Sequence, residues 1–179
     1  MTEAVDLSHL RQWIGRTEEK TDVVTAHLVA GLRSVLFLDV GKPQQGDAAP
    51  LTAHWCLTLP VVPMSEIGPD GHPVRGGFLP PVPLPRRMWA GGEISFIEPL
   101  RVGDVVTRTS TIKEINLKPG STGLLCFVSV DHVFSTPRGI ATRSGSALPS
   151  RAGRASGCMR LFASTGCNST SRWETFAGR

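Results

Sequence analysis

Apolar residues near the N-terminus recur at helical spacing. Leu7, Leu10 and Ile14 stand at i, i+3 and i+7 behind Asp6 or Ser8, either of which can cap a first helix, and Gly15 can end it. A stronger stripe follows Thr25, where Leu28, Val29, Leu32, Val35 and Leu36 recur at i, i+1, i+4, i+7 and i+8 and predict an amphipathic helix with Thr25 as its cap. The segment LTAHWCLTL, residues 51–59, fits two periods at once. Leu51, Ala53, Trp55, Leu57 and Leu59 alternate as in a strand, while Pro50 at a helix start and Leu51, Trp55 and Leu59 at i, i+4 and i+8 read as a short buried helix. Periodicity alone leaves both open.

From residue 94 the pattern changes to strands. ISFIE (94–98), GDVVTRTSTIKEI (103–115), GLLCFVSVDHVFS (123–135) and GIATR (139–143) are rich in Val, Ile, Thr and Phe. Lys118-Pro119-Gly120-Ser121 suits a type II turn, and Thr136-Pro137-Arg138-Gly139 makes a second break. The pattern is an antiparallel meander after helical segments, an α+β layout whose sheet must bury one face against a helix. On the third strand Leu124, Cys126, Val128, Val130 and Phe134 share the inward face. His132 directly follows Asp131, so the two point to opposite faces and cannot form a dyad.

Between these halves lies LPPVPLPRRMWAGG, residues 79–92. Proline fixes φ and removes a donor, so this stretch is an extended connector and neither helix interior nor central strand. As an SH3-type ligand it fails in register. Pro80 and Pro83 give the pair, but Pro85 stands where the basic residue is needed.

Composition, charge and cysteines narrow the class. At 179 residues and 40% hydrophobic, the chain suits one globular domain. No apolar run is long enough to span a bilayer, and MTEAVDLSHLRQW lacks the pattern of a secretory signal, so the expected compartment is the cytoplasm, with no membrane partner. Cys56, Cys126, Cys158 and Cys167 form no C-x-x-C pair, which argues for reduced thiols and against a zinc site. The net charge of +4 is uneven. Residues 143–179 hold six arginines and one acid, +5, while residues 1–142 hold thirteen Lys and Arg against fourteen Asp and Glu, −1. Basicity confined to one segment is no phosphate-binding surface, so nucleic acid is not an expected partner.

The stretches DGHPVRGGFLPPVPLPRRMWAGG and EPLRVGDVVTRTSTI, with DVVTAHLVAGL and HWCL before them, resemble the 3-methylfumaryl-CoA (mesaconyl-C(4)-CoA) hydratases within the wider hydroxyacyl-thioester dehydratase family, whose domains are MaoC-like. The resemblance covers roughly residues 8–142. It implies a hot-dog fold, an antiparallel sheet wrapped around a helix, here the N-terminal half of a double hot dog, and it favours the helical reading of LTAHWCLTL. It further implies a hydro-lyase acting on an enoyl-CoA thioester with no cofactor. For the arm it offers a substrate-binding role, with Arg86 and Arg87 engaging CoA phosphates while Met88 and Trp89 cover the apolar part. The alternative is a purely structural arm, with solvated arginines and Trp89 in the core. His54 and His132 read more readily as structural than as catalytic.

The resemblance also exposes a gap. Hydration of an enoyl thioester needs an acid/base pair and donors for the enolate-like oxygen, which the family is expected to carry in a second hot dog beyond this sequence. No residue is therefore assigned as catalytic. The chain is read as the substrate-binding half, catalytically incomplete, or else as a non-catalytic thioester- or partner-binding module that completes its site with a second hot-dog chain or a second copy. The acidic strand ending in Tyr-Arg, expected just after Ala141-Thr142, is replaced by RSGSALPSRAGRASG, and there is no tyrosine. Residues 143–179 are accordingly expected to be a divergent, disordered basic tail produced by a change of reading frame.

Overall fold

The structure, a computed structural model, describes residues 5–120, 123–151 and 160–165. Helix α1 (Leu7–Leu10) starts at Asp6, whose carboxylate accepts from the His9 amide, and passes into a 3₁₀ turn, Arg11–Trp13. Gly15, at φ +86°, then turns the chain in the left-handed region that glycine adopts without penalty. Strand β1 (Thr17–Val23) leads to helix α2 (Ala26–Val35), which opens as its sequence predicts: the Thr25 hydroxyl accepts from the Leu28 amide. Val29 is fully buried, but Val35 and Leu36 are exposed, so only the first part of the stripe meets the sheet. LTAHWCLTL resolves into a 3₁₀ helix, Leu51–Cys56, followed by a bend at Leu57 and Thr58.

Six further strands are described: β2 (Arg86–Arg87), β3 (Gly91–Phe96), β4 (Val105–Gly120), β5 (Gly123–Thr136), β6 (Gly139–Arg151) and β7 (Arg160–Thr165). The sheet runs β1-β4-β5-β6-β3-β7, antiparallel except for β3 with β7, and β2 pairs with the far end of β6. Pro137 and Arg138 form the two-residue connection expected between β5 and β6, inside the Thr136–Gly139 pair. The β4–β5 pairing runs on to Gly120–Gly123, so Pro119 and Gly120, expected at the centre of the turn, stand in the ladder instead. Extension of the ladder wins over the local preference of Pro119-Gly120. Leu124 near this end is 38% exposed, whereas Cys126, Val128, Val130 and Phe134 are buried as their alternation requires.

Two devices keep the inner face continuous. Ile112 and Ile115 are both buried although three residues apart, which the alternation of a strand forbids; a bulge at Lys113, between Ile112 and Glu114, reconciles them. A second irregularity lies opposite Phe134 and Ser135, where Ala141 is the extra residue. The core divides in two. Val24, Val29, Val106, Phe134 and Ala141 gather at one end of the sheet with α2 and the 51–56 turn, while Leu10, Ile112, Ile115, Cys126, Val128 and Val130 gather at the other under the proline arm.

The arm is anchored by side chains. Arg75 donates to the carbonyls of Val82 and Leu84, whose side chains fill the second core, and Asp70 receives both Arg75 and Arg87 at 3.7 and 3.1 Å. An arm poor in N–H donors is thus held through its carbonyls.

Residues 143–151 correct the expectation of a lost strand. They continue β6 without a break, paired with β5 on one side and with β3 and β2 on the other. Ser, Gly and Ala have weak strand preference, but a strand bonded along both edges depends little on its own propensity. Residues 160–165 likewise form a strand beside β3. The remainder of the expected tail, residues 152–159 and 166–179, with Cys158 and Cys167, lies outside the described residues.

Replacing Arg75 by Met should leave two arm carbonyls without their charged donor and cost about 2–4 kcal/mol. Urea unfolding of the variant against the wild-type chain measures this, and an unchanged midpoint would show that the prolines alone fix the arm.

Candidate functional site

Between the two cores the inner face of the sheet turns polar. On β4 the inward positions run Val106, Arg108, Ser110, Ile112; on β5 they run Phe134, His132, Val130; on β6 they run Thr142, Ser144, Ser146, Leu148. The register sets Ser110, His132 and Ser144 in one row across the three strands. His132 Nδ1 lies 2.8 Å from the Ser110 hydroxyl, and Nε2 lies 3.4 Å from the Ser146 hydroxyl, one step diagonally away. Both ring nitrogens therefore have hydroxyl partners, which donate or accept as the tautomer requires.

Over this band lies a cavity of about 580 Å³. Its floor is Arg108, His132, Phe134, Ser144, Gly145, Ser146 and Leu148 of the sheet, with Gly92 and Ile94 of β3; its roof is His54, Trp55, Leu57 and Leu59, with Trp89 at the β3 end. From Arg108 on β4 to Gly92 on β3 is three interstrand steps, about 14 Å, long enough for an extended acyl chain. Gly92 is required by space. A Cβ there would stand 2.3 Å from the Gly145 carbonyl oxygen and 3.4 Å from the Trp89 ring.

Three buried polar atoms lack a hydrogen-bond partner among the described residues: His54 Nε2, Arg108 Nε and the Thr58 hydroxyl. Two belong to cavity-lining residues and the third sits between Leu57 and Leu59, which line it. His54 is 1% exposed, among the rings of Trp55, Phe96 and Phe134, and its Nδ1 is 2.9 Å from the Leu51 carbonyl. A carbonyl only accepts, so Nδ1 carries the proton and Nε2 is left as a bare acceptor. Burial lowers the His54 pKa, against a smaller opposing effect of the Leu51 bond. Thr58 adopts φ +56°, unusual for a branched residue, and its amide is held by the Asp22 carboxylate at 2.8 Å. That bond fixes the roof to β1.

Arg108 is partly buried and pairs through Nη2 with Glu18 at 3.5 Å. Burial works against its charge and Glu18 supports it. His132, beside it, is pulled down to about 4, first by burial and next by the Arg108 charge, with Asp131 opposing. It is neutral at pH 7.

The four residues of the arm separate. Trp89 lines the cavity. Arg87 is committed to Asp70 and to the Pro73 carbonyl at 3.0 Å, Arg86 is exposed, and Met88 stands with them around a second, outer hollow. Sequence reasoning missed Arg108 and the serines of β6. For Arg108 a signal was present, since it alternates in step with Val106 and Ile112. Among the described residues no group of His, Cys, Asp and Glu could hold a metal ion, and no helix is long and apolar enough to cross a membrane.

Two measurements probe this geometry. Gly92→Ala should lower stability by about 1–3 kcal/mol, because the added methyl has backbone beneath it; calorimetry showing an unshifted transition would contradict the close approach. His132 gives a pH dependence of defined sign. Its folded pKa lies below its unfolded value near 6.5, so the unfolded chain binds the extra proton; stability is intact above about pH 6.5, falls as pH drops toward 4, and is lower by about 3 kcal/mol at the end of that window. Urea unfolding at pH 7 and pH 5 should show this fall, and His132→Asn should remove most of it, the remainder belonging to His54.

The hydroxyacyl-thioester dehydratase type 2 family (Htd2) matches this chain over residues 52–151, more than half its length. Over 120 residues the chain is 42% identical to the mesaconyl-C(4)-CoA hydratase of Chloroflexus aurantiacus, a match that covers 67% of this chain and 43% of that protein. The chain therefore spans less than half the length of this relative. Among solved structures it is similar to the MaoC-like dehydratase from Rhodospirillum rubrum (TM-score 0.50, 19% identity, 79% of this chain and 94% of that one). It is also similar to a chain of the ChsH1-ChsH2 complex from Mycobacterium tuberculosis (TM-score 0.59, 13% identity, 81% and 95%). Likenesses at such identities establish the fold, and the match over residues 52–151 establishes the lineage: this chain is a hot-dog protein of the hydroxyacyl-thioester dehydratase type 2 family.

Proposed function

We propose that this chain is the substrate-binding half of an acyl-CoA hydratase, a hydro-lyase that reversibly hydrates an enoyl-CoA thioester such as 3-methylfumaryl-CoA in the cytoplasm. The observation that carries the reading is the cavity of about 580 Å³, apolar along most of its wall, with His54, Arg108, His132 and the β6 serines as its polar members. A few polar groups set in an apolar wall are what orients a bound small molecule. Ile94, Phe134, Leu148 and Trp89 suit an acyl chain and the end of the pantetheine arm. The exposed Arg86 remains available to a CoA phosphate, whereas Arg87 and Met88 support the arm beneath it.

Hydration adds water across the double bond conjugated to the thioester, with a base to take a proton, an acid to return one to the α-carbon, and donors to hold the enolate-like oxygen. Here the neutral His132 and His54 hold and orient the acyl group, and the acid/base pair comes from a second hot-dog unit. A second chain, instead of the same one, is an alternative source of that unit. It is favoured by the exposure of large apolar side chains, Phe37 at 97%, Val61 at 95% and Met64 at 85%.

Calorimetric titration of the purified chain with crotonyl-CoA, together with an absorbance assay of enoyl loss, tests the reading. Binding is expected, with turnover at least about a hundredfold below a complete hydratase for want of the acid/base pair. Absence of binding, or fast turnover by the chain alone, would overturn it.

A further inference from the structure

We propose that Arg108 is the receptor for a free carboxylate at the far end of the acyl group, so that the cavity selects dicarboxylic acyl thioesters over their monocarboxylic counterparts. The inference rests on the reading of the cavity as a thioester site and adds the group that sets its selectivity.

Charge around the partly buried Arg108 does not balance within the chain. Arg108 reaches the cavity from the middle of β4, with its side chain 19% exposed. Its one acidic neighbour, Glu18, is shared: one oxygen lies 3.5 Å from Arg108 Nη2 and the other 3.3 Å from Lys20 Nζ. Two cations on one carboxylate leave an excess positive charge. The other acids nearby do not remove it. The Asp22 carboxylate is occupied by the amides of Val23 and Thr58, at 2.7 and 2.8 Å, and Asp131 points to the opposite face and pairs with Lys113 at 3.8 Å. His132 and His54 are neutral neighbours, and of the Ser110 and Ser146 hydroxyls beside His132 the one that accepts from the ring N–H keeps its own proton to donate. Finally, Glu18 takes only Nη2 of the guanidinium at a long 3.5 Å, and Nε, buried, has no acceptor among the described residues, so the cation that lines the cavity is weakly partnered. A weakly partnered guanidinium in a largely apolar, partly desolvated surround is the natural partner of a planar carboxylate.

Position identifies which anion it meets. Arg108 lies at the β4 end of the cavity, and Trp89, on the arm that carries Arg86, lies at the β3 end. A CoA phosphate is bulky and strongly hydrated, and the cavity wall around Arg108 includes the apolar Phe134 and Ile94, a poor surround for it. An acyl group extended from a thioester held near Trp89 delivers a terminal carboxylate there with no such cost. A 3-methylfumaryl thioester carries such a carboxylate.

The test compares succinyl-CoA, butyryl-CoA and free CoA by calorimetric titration into the full chain and into Arg108→Gln, Arg108→Lys and Glu18→Gln, each checked for a cooperative unfolding transition. Succinyl-CoA should bind the wild-type chain about tenfold or more tightly than butyryl-CoA. Arg108→Gln should abolish that difference while leaving butyryl-CoA affinity within about threefold, Arg108→Lys should keep part of it, and Glu18→Gln should widen it by withdrawing the competing carboxylate. Equal wild-type affinity for succinyl- and butyryl-CoA, with both bound, overturns the carboxylate receptor alone. A loss of free CoA affinity in Arg108→Gln matching the loss for succinyl-CoA overturns it in favour of phosphate contact. Failure of every CoA ligand to bind the wild-type chain removes the thioester reading itself.

Discussion

Ser110, His132 and Ser144 stand in one row across β4, β5 and β6, held in register by ladders on both sides of β5. Their row interrupts an inner face that is otherwise apolar at both ends. Were the three positions apolar, the two cores would merge and the sheet would close on itself. Hydroxyls and an imidazole hydrogen-bonded along the sheet offer little to apolar side chains above them, and the cavity lies over this row with His54 to Leu59 as its roof. The two bulges serve the same arrangement. Each returns the alternation to step beyond a place where it would otherwise carry the next apolar residue to the wrong face.

Much of this was legible before any coordinates. The Asp6 and Thr25 caps, the β4-β5-β6 meander, the Pro137-Arg138 turn and, Leu124 apart, the inward set on β5 all follow from local chemistry and alternation, whereas β3, expected beside β4 as the first strand of the meander, crosses over to pair with β6; the family resemblance agrees with the match over residues 52–151. The histidine on β5 was legible as well. The same parity that buries Val130 and Phe134 brings His132 inward and sends Asp131 out.

What remained illegible has common causes. Strand β1, TEEKTDV, carries one apolar residue, so it offers no hydrophobic alternation; only the neighbouring β4 makes it a strand. The second half of β6 is Ser- and Gly-rich, which reads as loop, yet small side chains are what a cavity floor needs. Arg108 sits among threonines and valines, where a lone arginine reads as a solvated face. Its burial depends on Glu18, ninety residues earlier in the chain. The roles of the arm also depended on distance, since Asp70 and Pro73 hold Arg87 while Trp89 goes to the cavity.

Strand β1 also governs how these molecules meet in a crowded solution. It is the terminal strand on its side of the sheet, and an unpaired strand edge invites another molecule to add itself by backbone hydrogen bonding. Glu18, Glu19, Lys20 and Asp22 follow one another along this edge with acid in excess. Four charged side chains in seven residues, Lys20 among them, are the means by which an edge strand resists pairing, since each must give up water when another strand is added. The edge that frames the cavity's basic end is therefore also poorly suited to fibre growth, which directs any association of the protein toward its exposed apolar side chains and away from open-ended stacking of sheets.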